Sequence, residues 1–220
     1  MILKVGLTGG MASGKSTVMR MLAGLGCVTV DADAIVSRLY RPGQAGHEAI
    51  VRTYGREILL PPDGSDGEID RKKLANIAFS HPDEARKLNA LIHPIVVAEE
   101  ERMMRDAEAR EGDAIYIVEA TLLLEAGGRQ RYDRIVVVDV APEMQIQRAI
   151  GRGMTREEAL RRIEHQMARE ERLRYADYVI DNSGDEGRAL AEATRVYGLL
   201  RADLEAKKKN PGAWRPGVEW

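Results

Sequence analysis

The stretch Gly9-Gly10-Met11-Ala12-Ser13-Gly14-Lys15-Ser16 decides the fold of this 220-residue chain. It fits the pattern G-x-x-x-x-G-K-[ST], in which glycines let backbone amides approach phosphate oxygens without a Cβ clash. An apolar run at residues 2–7 precedes it, and a helical pattern follows at residues 15–25. A strand that ends in such a loop and continues into a helix N-terminus favours anions. The sequence therefore predicts a phosphate-binding loop.

The loop supplies most of the candidate nucleotide ligands. The Lys15 ammonium is expected to reach the outer phosphates as a point charge. The Ser16 hydroxyl suits Mg²⁺, which prefers oxygen ligands and keeps most of its waters. The candidate nucleotide-binding residues here are Gly9, Gly10, Ala12, Ser13, Gly14, Lys15, Ser16 and Thr17.

Four further β-branched runs predict strands at residues 28–30, 115–118, 135–138 and 178–180. The longer runs do not alternate polar and apolar residues, which is typical of strands covered on both faces of a parallel sheet. Helical patterns separate them, and residues 184–209 carry apolar positions at helical spacing. Pro94 marks a helix start or a kink, and residues 61–67 predict turns. The fold class is α/β.

Composition excludes several classes of protein. The chain carries 33 Lys and Arg against 35 Asp and Glu, which argues against non-specific nucleic-acid coating and against a basic membrane anchor. The single cysteine, Cys27, rules out an intrachain disulfide, and the four histidines lack metal-ligand spacing. No targeting segment is visible, and no apolar run approaches the ~20 residues that span a bilayer. We expect a cytoplasmic protein without nucleic-acid or membrane partners.

A phosphate loop of this kind serves switch GTPases, motor ATPases or small-molecule kinases. A guanine-reading switch would carry Asn-Lys-x-Asp, and no asparagine here is followed by lysine. The stretch Asp181-Asn182-Ser183-Gly184 does match D-x-x-G, but without the base-reading motif it is interpreted as coincidence. The chain also lacks the long acidic strand-end motif of a motor ATPase, so the kinase class is favoured.

Asp33 is the candidate base. Asp31-Ala32-Asp33 follows the second predicted strand, and ligands of open α/β sheets bind at the carboxyl ends of strands. A carboxylate there can orient an acceptor hydroxyl and accept its proton. The alternative is that Asp33 caps the helix that follows.

An arginine-rich stretch, residues 145–175, holds eight arginines against five acidic residues. Arginine forks neutralise the charge that develops on a transferring phosphoryl group, and a closing lid excludes water. Arg148, shortly after a Val-rich strand, is the candidate phosphate contact. Arg161 and Arg162 are interpreted as solvated residues in i,i+4 ion pairs with Glu157 and Glu158.

Several stretches along the chain resemble the dephospho-CoA kinase family. They are Leu7-Thr8-Gly9-Gly10, Asp31-Ala32-Asp33, Leu88-Asn89-Ala90-Leu91-Ile92-His93-Pro94, Leu122-Leu123-Leu124-Glu125, Val137-Val138-Asp139-Val140, Gln166-x-x-Arg169-x-x-Arg172-Leu173 and Ala176-Asp177-x-Val179-Ile180-Asp181-Asn182-x-Gly184. The resemblance implies ATP and Mg²⁺ as cofactors and transfer to the ribose 3′-hydroxyl of dephospho-CoA. The alternatives are a nucleoside or nucleoside-monophosphate kinase, and a nucleotide-binding regulatory protein without an acceptor.

The resemblance also implies an architecture. A P-loop NTPase-type three-layer α/β/α core with a parallel sheet would comprise residues 1–39, 109–144 and 173–206. A helical insertion, residues 40–108, would hold the coenzyme A precursor, and a lid, residues 145–172, would close over ATP. Residues 207–220 are expected to form a flexible tail.

Site roles follow from motif positions in the resemblance. Asp33 would be the base, and Lys15 and Arg148 would stabilise the transferring group. Asn182 would lie on the adenine side. His93 and Glu119 would lie on the acceptor side, although a histidine beside proline is also a common structural residue.

The chain departs from the family pattern in two places. The family commonly has Asp-x-Pro where this chain has Glu119-Ala120-Thr121, so the local path of the chain can differ there. Ala12 stands where a glycine is frequent, and nucleotide binding is expected to survive if the φ of Ala12 is negative.

Overall fold

The computed structural model describes residues 1–60, 67–212 and 214. The turns predicted at residues 61–66 and most of the tail after residue 212 lie outside this range. The chain divides into two compact units. The first comprises Met1–Asp31 with Ala107–Trp220, and the second is Ala32–Asp106.

The first unit is built on a parallel sheet. Its strands are β1 (Ile2–Thr8), β2 (Val28–Asp31), β3 (Ala114–Glu119), β4 (Arg134–Asp139) and β5 (Tyr178–Asp181). The spatial order is β2-β3-β1-β4-β5, and all four neighbouring pairs are parallel. The strands predicted from the β-branched runs and the α/β class are confirmed.

Helices connect the strands. They are α1 (Lys15–Gly24), α2 (Ala32–Leu39), α3 (Ala45–Tyr54), α4 (Arg71–Ser80), α5 (Pro82–Glu111), α6 (Pro142–Ile150), α7 (Arg156–Glu164), α8 (Arg169–Arg174) and α9 (Glu186–Lys209). Pro94 lies inside α5, so it does not mark a helix start. Helix α9 includes residues 207–209. The flexible tail predicted at residues 207–220 therefore overlaps the last three residues of this helix. No helix in the described ranges is long and apolar enough to cross a membrane.

The core of the first unit lies between the sheet and two helices. Leu3, Val5 and Leu7 of β1 are fully buried, and they belong to one cluster with apolar residues of α1 and α9. Cys27 is buried in the same cluster, and desolvation raises the pKa of its thiol to about 12. The thiol is therefore a small buried apolar group rather than a nucleophile.

The second unit is helical and contains α2 to α4 and most of α5. An isolated antiparallel bridge joins Leu59 to Ile69. Arg38 of α2 donates a 2.7 Å hydrogen bond to Glu99 of α5, so these two helices are tied together by a charged contact. Glu99 also accepts hydrogen bonds from Arg102, and these hold the pKa of its carboxyl below the ordinary value.

Candidate active site

The phosphate loop connects β1 to α1 at the carboxyl edge of the sheet, as predicted. Two of its glycines are required by close approach. A Cβ on Gly9 would collide with the Val138 carbonyl oxygen of β4. Gly14 is the N-cap of α1 with φ of 93°, and a Cβ there would collide with the Asn182 side chain. The loop therefore lies against the ends of β4 and β5.

Lys15 opens α1, and its ammonium lies over the loop. Its Nζ donates to the carbonyl oxygens of Gly9 at 3.0 Å and Gly10 at 3.3 Å, and the residue is buried. The next residue, Ser16, is exposed in the first turn of α1. The residue predicted to contact the outer phosphates is thus a buried cation, and the residue predicted to bind Mg²⁺ has an accessible hydroxyl next to it.

Ala12 adopts a left-handed backbone conformation with φ of 56°, the only non-glycine residue with positive φ in the described ranges. The expectation that nucleotide binding survives the change from glycine rests on a negative φ at Ala12, and this condition is not met. L-residues pay roughly 1–2 kcal/mol in this region because Cβ crowds the following carbonyl. Ala12 and Met11 pack against a small apolar cluster of Ile146, Ala149 and Ala159, which offsets part of that cost.

Arg148 and Asn182 meet at the loop. The Nη1 of Arg148 donates to the Ser13 carbonyl oxygen at 3.3 Å, and its Nη2 donates to the Asn182 carbonyl oxygen at 2.8 Å. The Nδ2 of Asn182 donates to the same Ser13 oxygen at 2.7 Å. Both predicted residues therefore hold the backbone where the loop turns into α1.

A cleft of about 430 Å³ opens beside the loop. Lys15 lines it from the loop side, and Arg162, His165 and Gln166 line it from the end of α7 and the turn after it. The remaining lining residues are Met11, Ala12, Thr121 and Leu122. A cation and polar groups thus face a loop that favours anions.

The ion pair expected between Glu158 and Arg162 does not form. The Glu158 carboxylate instead accepts the Thr155 N–H at 2.9 Å in a capping box at the start of α7. Within residues 1–60, 67–212 and 214, neither Arg161 nor Arg162 is part of an ion pair. The helix terminus competes successfully for the glutamate because its unpaired N–H groups need an acceptor.

Glu119 and Asp31 end neighbouring strands and lie opposite each other in the β2–β3 register. Glu119 is buried, and Asp31 is exposed. The ladder continues past Glu119, because the Ala120 N–H donates to the Leu7 carbonyl oxygen at 3.1 Å. The Thr8 hydroxyl donates to the Thr121 carbonyl oxygen at 3.2 Å, which fixes the path where the family pattern has proline.

Asp33 and His93 belong to the second unit and are both exposed. Helix α2 begins at Ala32, so Asp33 lies in its first turn rather than at the cap. An acidic side chain there interacts favourably with the positive end of the helix dipole. His93 lies within α5, one residue before Pro94.

Sequence reasoning missed Gln166. It lies in one of the stretches that resemble the family, and its Oε1 accepts the Met11 N–H of the phosphate loop at 2.9 Å. No local pattern marks such a contact, because the two residues are 155 positions apart.

Comparison with known proteins identifies the family of the chain. The family model described as dephospho-CoA kinase matches residues 3–187. The chain belongs to the dephospho-CoA kinase family. A dephospho-CoA kinase of Streptomyces avermitilis is 42% identical over 212 residues, covering 96% of this chain and 98% of the relative. One from Aquifex aeolicus is 40% identical, covering 91% and 98%.

Solved structures support the fold of this dephospho-CoA kinase family member. A Thermus thermophilus protein superposes with a TM-score of 0.75 at 30% identity, covering 90% of this chain and 96% of that one. A dephospho-CoA kinase from Campylobacter jejuni superposes with a TM-score of 0.65 at 23% identity, covering 92% and 100%. The latter likeness shows the fold alone.

Proposed function

We propose that this chain transfers the outer phosphoryl group of ATP to the ribose 3′-hydroxyl of dephospho-CoA, giving coenzyme A and ADP. The phosphate loop carries the proposal. It stands at the carboxyl end of β1, and both Lys15 and Arg148 of α6 donate hydrogen bonds to its backbone. The chain that carries it matches the family over residues 3–187.

In the proposed reaction the acceptor oxygen attacks the outer phosphorus in line with the leaving oxygen. The bond between that phosphorus and the bridging oxygen breaks, and ADP leaves. The Asp33 carboxylate accepts the hydroxyl proton. Lys15 neutralises charge on the outer phosphate oxygens. Arg148 adds positive charge beside Gly14, since its Nη1 lies 3.7 Å from the position that a Cβ on Gly14 would take.

The residues present fit Mg²⁺. When bound, the ion neutralises phosphate oxygens and fixes their orientation. Mg²⁺ uses one or two protein oxygens together with phosphates and water, so it needs no dedicated protein cage. In the described part of the chain, no three His, Cys, Asp or Glu side chains form a metal cluster. Ser16 is exposed beside Lys15 and would supply the protein oxygen.

The remaining assignments are proposals of the same kind. Residues 40–108 would hold the coenzyme A precursor, with His93 and Glu119 on the acceptor side. Residues 145–172 would act as the lid over ATP, and Asn182 would lie on the adenine side. The chain would work in the cytoplasm, where its single cysteine stays reduced.

A coupled assay of ADP release tests the proposal. Dephospho-CoA should raise ADP release above the rate without acceptor, and mass spectrometry should detect coenzyme A. Nucleosides and nucleoside monophosphates serve as competing acceptors, and Lys15→Ala serves as the site-directed control. If a nucleoside or nucleotide raises the rate and dephospho-CoA does not, the chain is a different kinase. If no acceptor does, a regulatory nucleotide-binding role is favoured.

A further inference from the structure

Gln166 connects the turn after α7 to the phosphate loop through one backbone donor. The Met11 N–H donates to its Oε1 at 2.9 Å, and Gln166 is half-buried. Met11 is a loop residue two positions after Gly9, so Gln166 holds the loop through its main chain. A side chain from the predicted lid thus occupies a donor of the loop itself.

Apolar side chains also connect the loop to α6 and α7. Met11 and Ala12 pack on Ile146 and Ala149 of α6 and on Ala159 of α7, and Ile163 joins this cluster. Side chains of the loop therefore bury apolar area against the helix that leads to Gln166. The hydrogen bond and the apolar cluster together fix the loop relative to the end of α7.

The chain just after Gln166 is held on the sheet edge. The Met167 N–H donates to the Glu125 carboxylate at 3.0 Å, and Arg172 donates to the same oxygen at 3.3 Å. Arg169 makes two hydrogen bonds to Asp139 at the end of β4, at 2.8 and 2.6 Å. Gln166 is thus presented to the loop from an anchored segment rather than from a mobile tip.

Gln166 also lines the cleft that Lys15 and Arg162 line. With Oε1 accepting the Met11 N–H, its amide nitrogen retains two donors. We propose that Gln166 is a positioning residue for phosphoryl transfer: it holds the Met11 segment of the loop and the end of α7 in one arrangement. This inference rests on the proposed function.

The expected effect is on turnover more than on nucleotide affinity. The N-terminal amides of α1 and the Lys15 charge bind phosphates without Gln166, so ATP binding should persist. Without the Gln166 contact, the loop and the end of α7 would have to become ordered during the reaction. This ordering weakens the interactions made in the transition state. Gln166→Met keeps an unbranched side chain of similar length and removes the acceptor.

The experiment compares full-length wild type with Gln166→Met, Gln166→Glu and the control Gln130→Met, since Gln130 is exposed and lies outside the proposed lid. The Gln166→Met variant should lose about tenfold in kcat, with KM for ATP within about threefold. Hydrogen exchange of the peptide spanning residues 7–14 should rise in Gln166→Met. It should stay at the wild-type level in Gln166→Glu, which keeps an acceptor for Met11. Gln130→Met should match the wild type.

The outcomes are distinct. A Gln166→Met kcat within about twofold of the wild type overturns the inference. Faster exchange spread equally over the α9 peptides overturns it as well, because the residue would then support the whole fold. If wild type fails to use dephospho-CoA, the proposed function fails, while exchange of the loop peptide without acceptor still reports on Gln166.

Discussion

The side-chain amide of Asn182 donates a 2.7 Å hydrogen bond to the carbonyl oxygen of Ser13, 169 residues away in the sequence. The contact ties the end of β5 to the point where the phosphate loop turns into α1. Gly14 must lack a side chain there, because a Cβ would collide with the Asn182 amide. The shape of the loop therefore depends on a residue that directly follows the edge strand β5.

Asn182→Ala should lower kcat/KM for ATP by about tenfold, since it removes a buried hydrogen bond to the loop. Steady-state kinetics with ATP varied measures the effect. Asn210→Ala is the matched control, because Asn210 is exposed after α9. Equal kinetics of the two variants would contradict a loop-holding role for Asn182.

Arg148→Lys should also lower kcat/KM for ATP, although the charge is kept. The guanidinium reaches two carbonyl oxygens, those of Ser13 and Asn182, with two different nitrogens. A lysine ammonium is a single point and does not reproduce this fork. Arg152→Lys, at an exposed turn position, is the control. Full activity of Arg148→Lys would show that only the charge matters.

Ala12→Val should destabilise the protein and lower activity, because a β-branched residue is strained at positive φ. The added cost is roughly 1–3 kcal/mol, which corresponds to a fall in Tm of at least about 2 °C. Ala12→Gly should change Tm far less, since relief of strain is offset by the lost methyl contact with the apolar cluster. Differential scanning calorimetry of both variants checks the order.

The sequence was sufficient for the elements and for the phosphate loop because both depend on local signals. Continuous β-branched runs marked the strands of a buried parallel sheet, and the glycine spacing marked the loop. Local signals do not show which of two possible hydrogen-bond partners a side chain takes. Glu158 had two local options, Arg162 and the Thr155 N–H, and only the folded helix end shows which one it takes. The Gln166 contact with Met11 has no local signal at all.

Glu99→Gln should make the stability of the second unit less dependent on pH in the acid range. Hydrogen bonds from Arg102 hold the pKa of the Glu99 carboxyl below the ordinary 4.5, and Arg38 adds to the effect. A lowered pKa stabilises the fold above pH 4.5, and this contribution is lost as pH falls through the folded-state value. Wild type should therefore exceed the variant in Tm at neutral pH, and the difference should shrink below pH 4.5. A constant difference down to pH 3, about 1.5 units lower, would contradict this.

Asp33→Asn should reduce turnover by ~10²–10⁴ and leave ATP affinity nearly unchanged, because it removes the proposed proton acceptor and keeps the side-chain size. Asp33 lies in the first turn of α2, where a negative charge also stabilises the helix dipole by about 0.3–1 kcal/mol. Asp83→Asn separates the two effects, since Asp83 is an exposed acid in the first turn of α5. Both variants should lose a similar small amount of stability in thermal melts, and only Asp33→Asn should lose turnover. If Asp33→Asn keeps a kcat near the wild type while its Tm falls as in Asp83→Asn, the carboxylate serves the helix and not the chemistry.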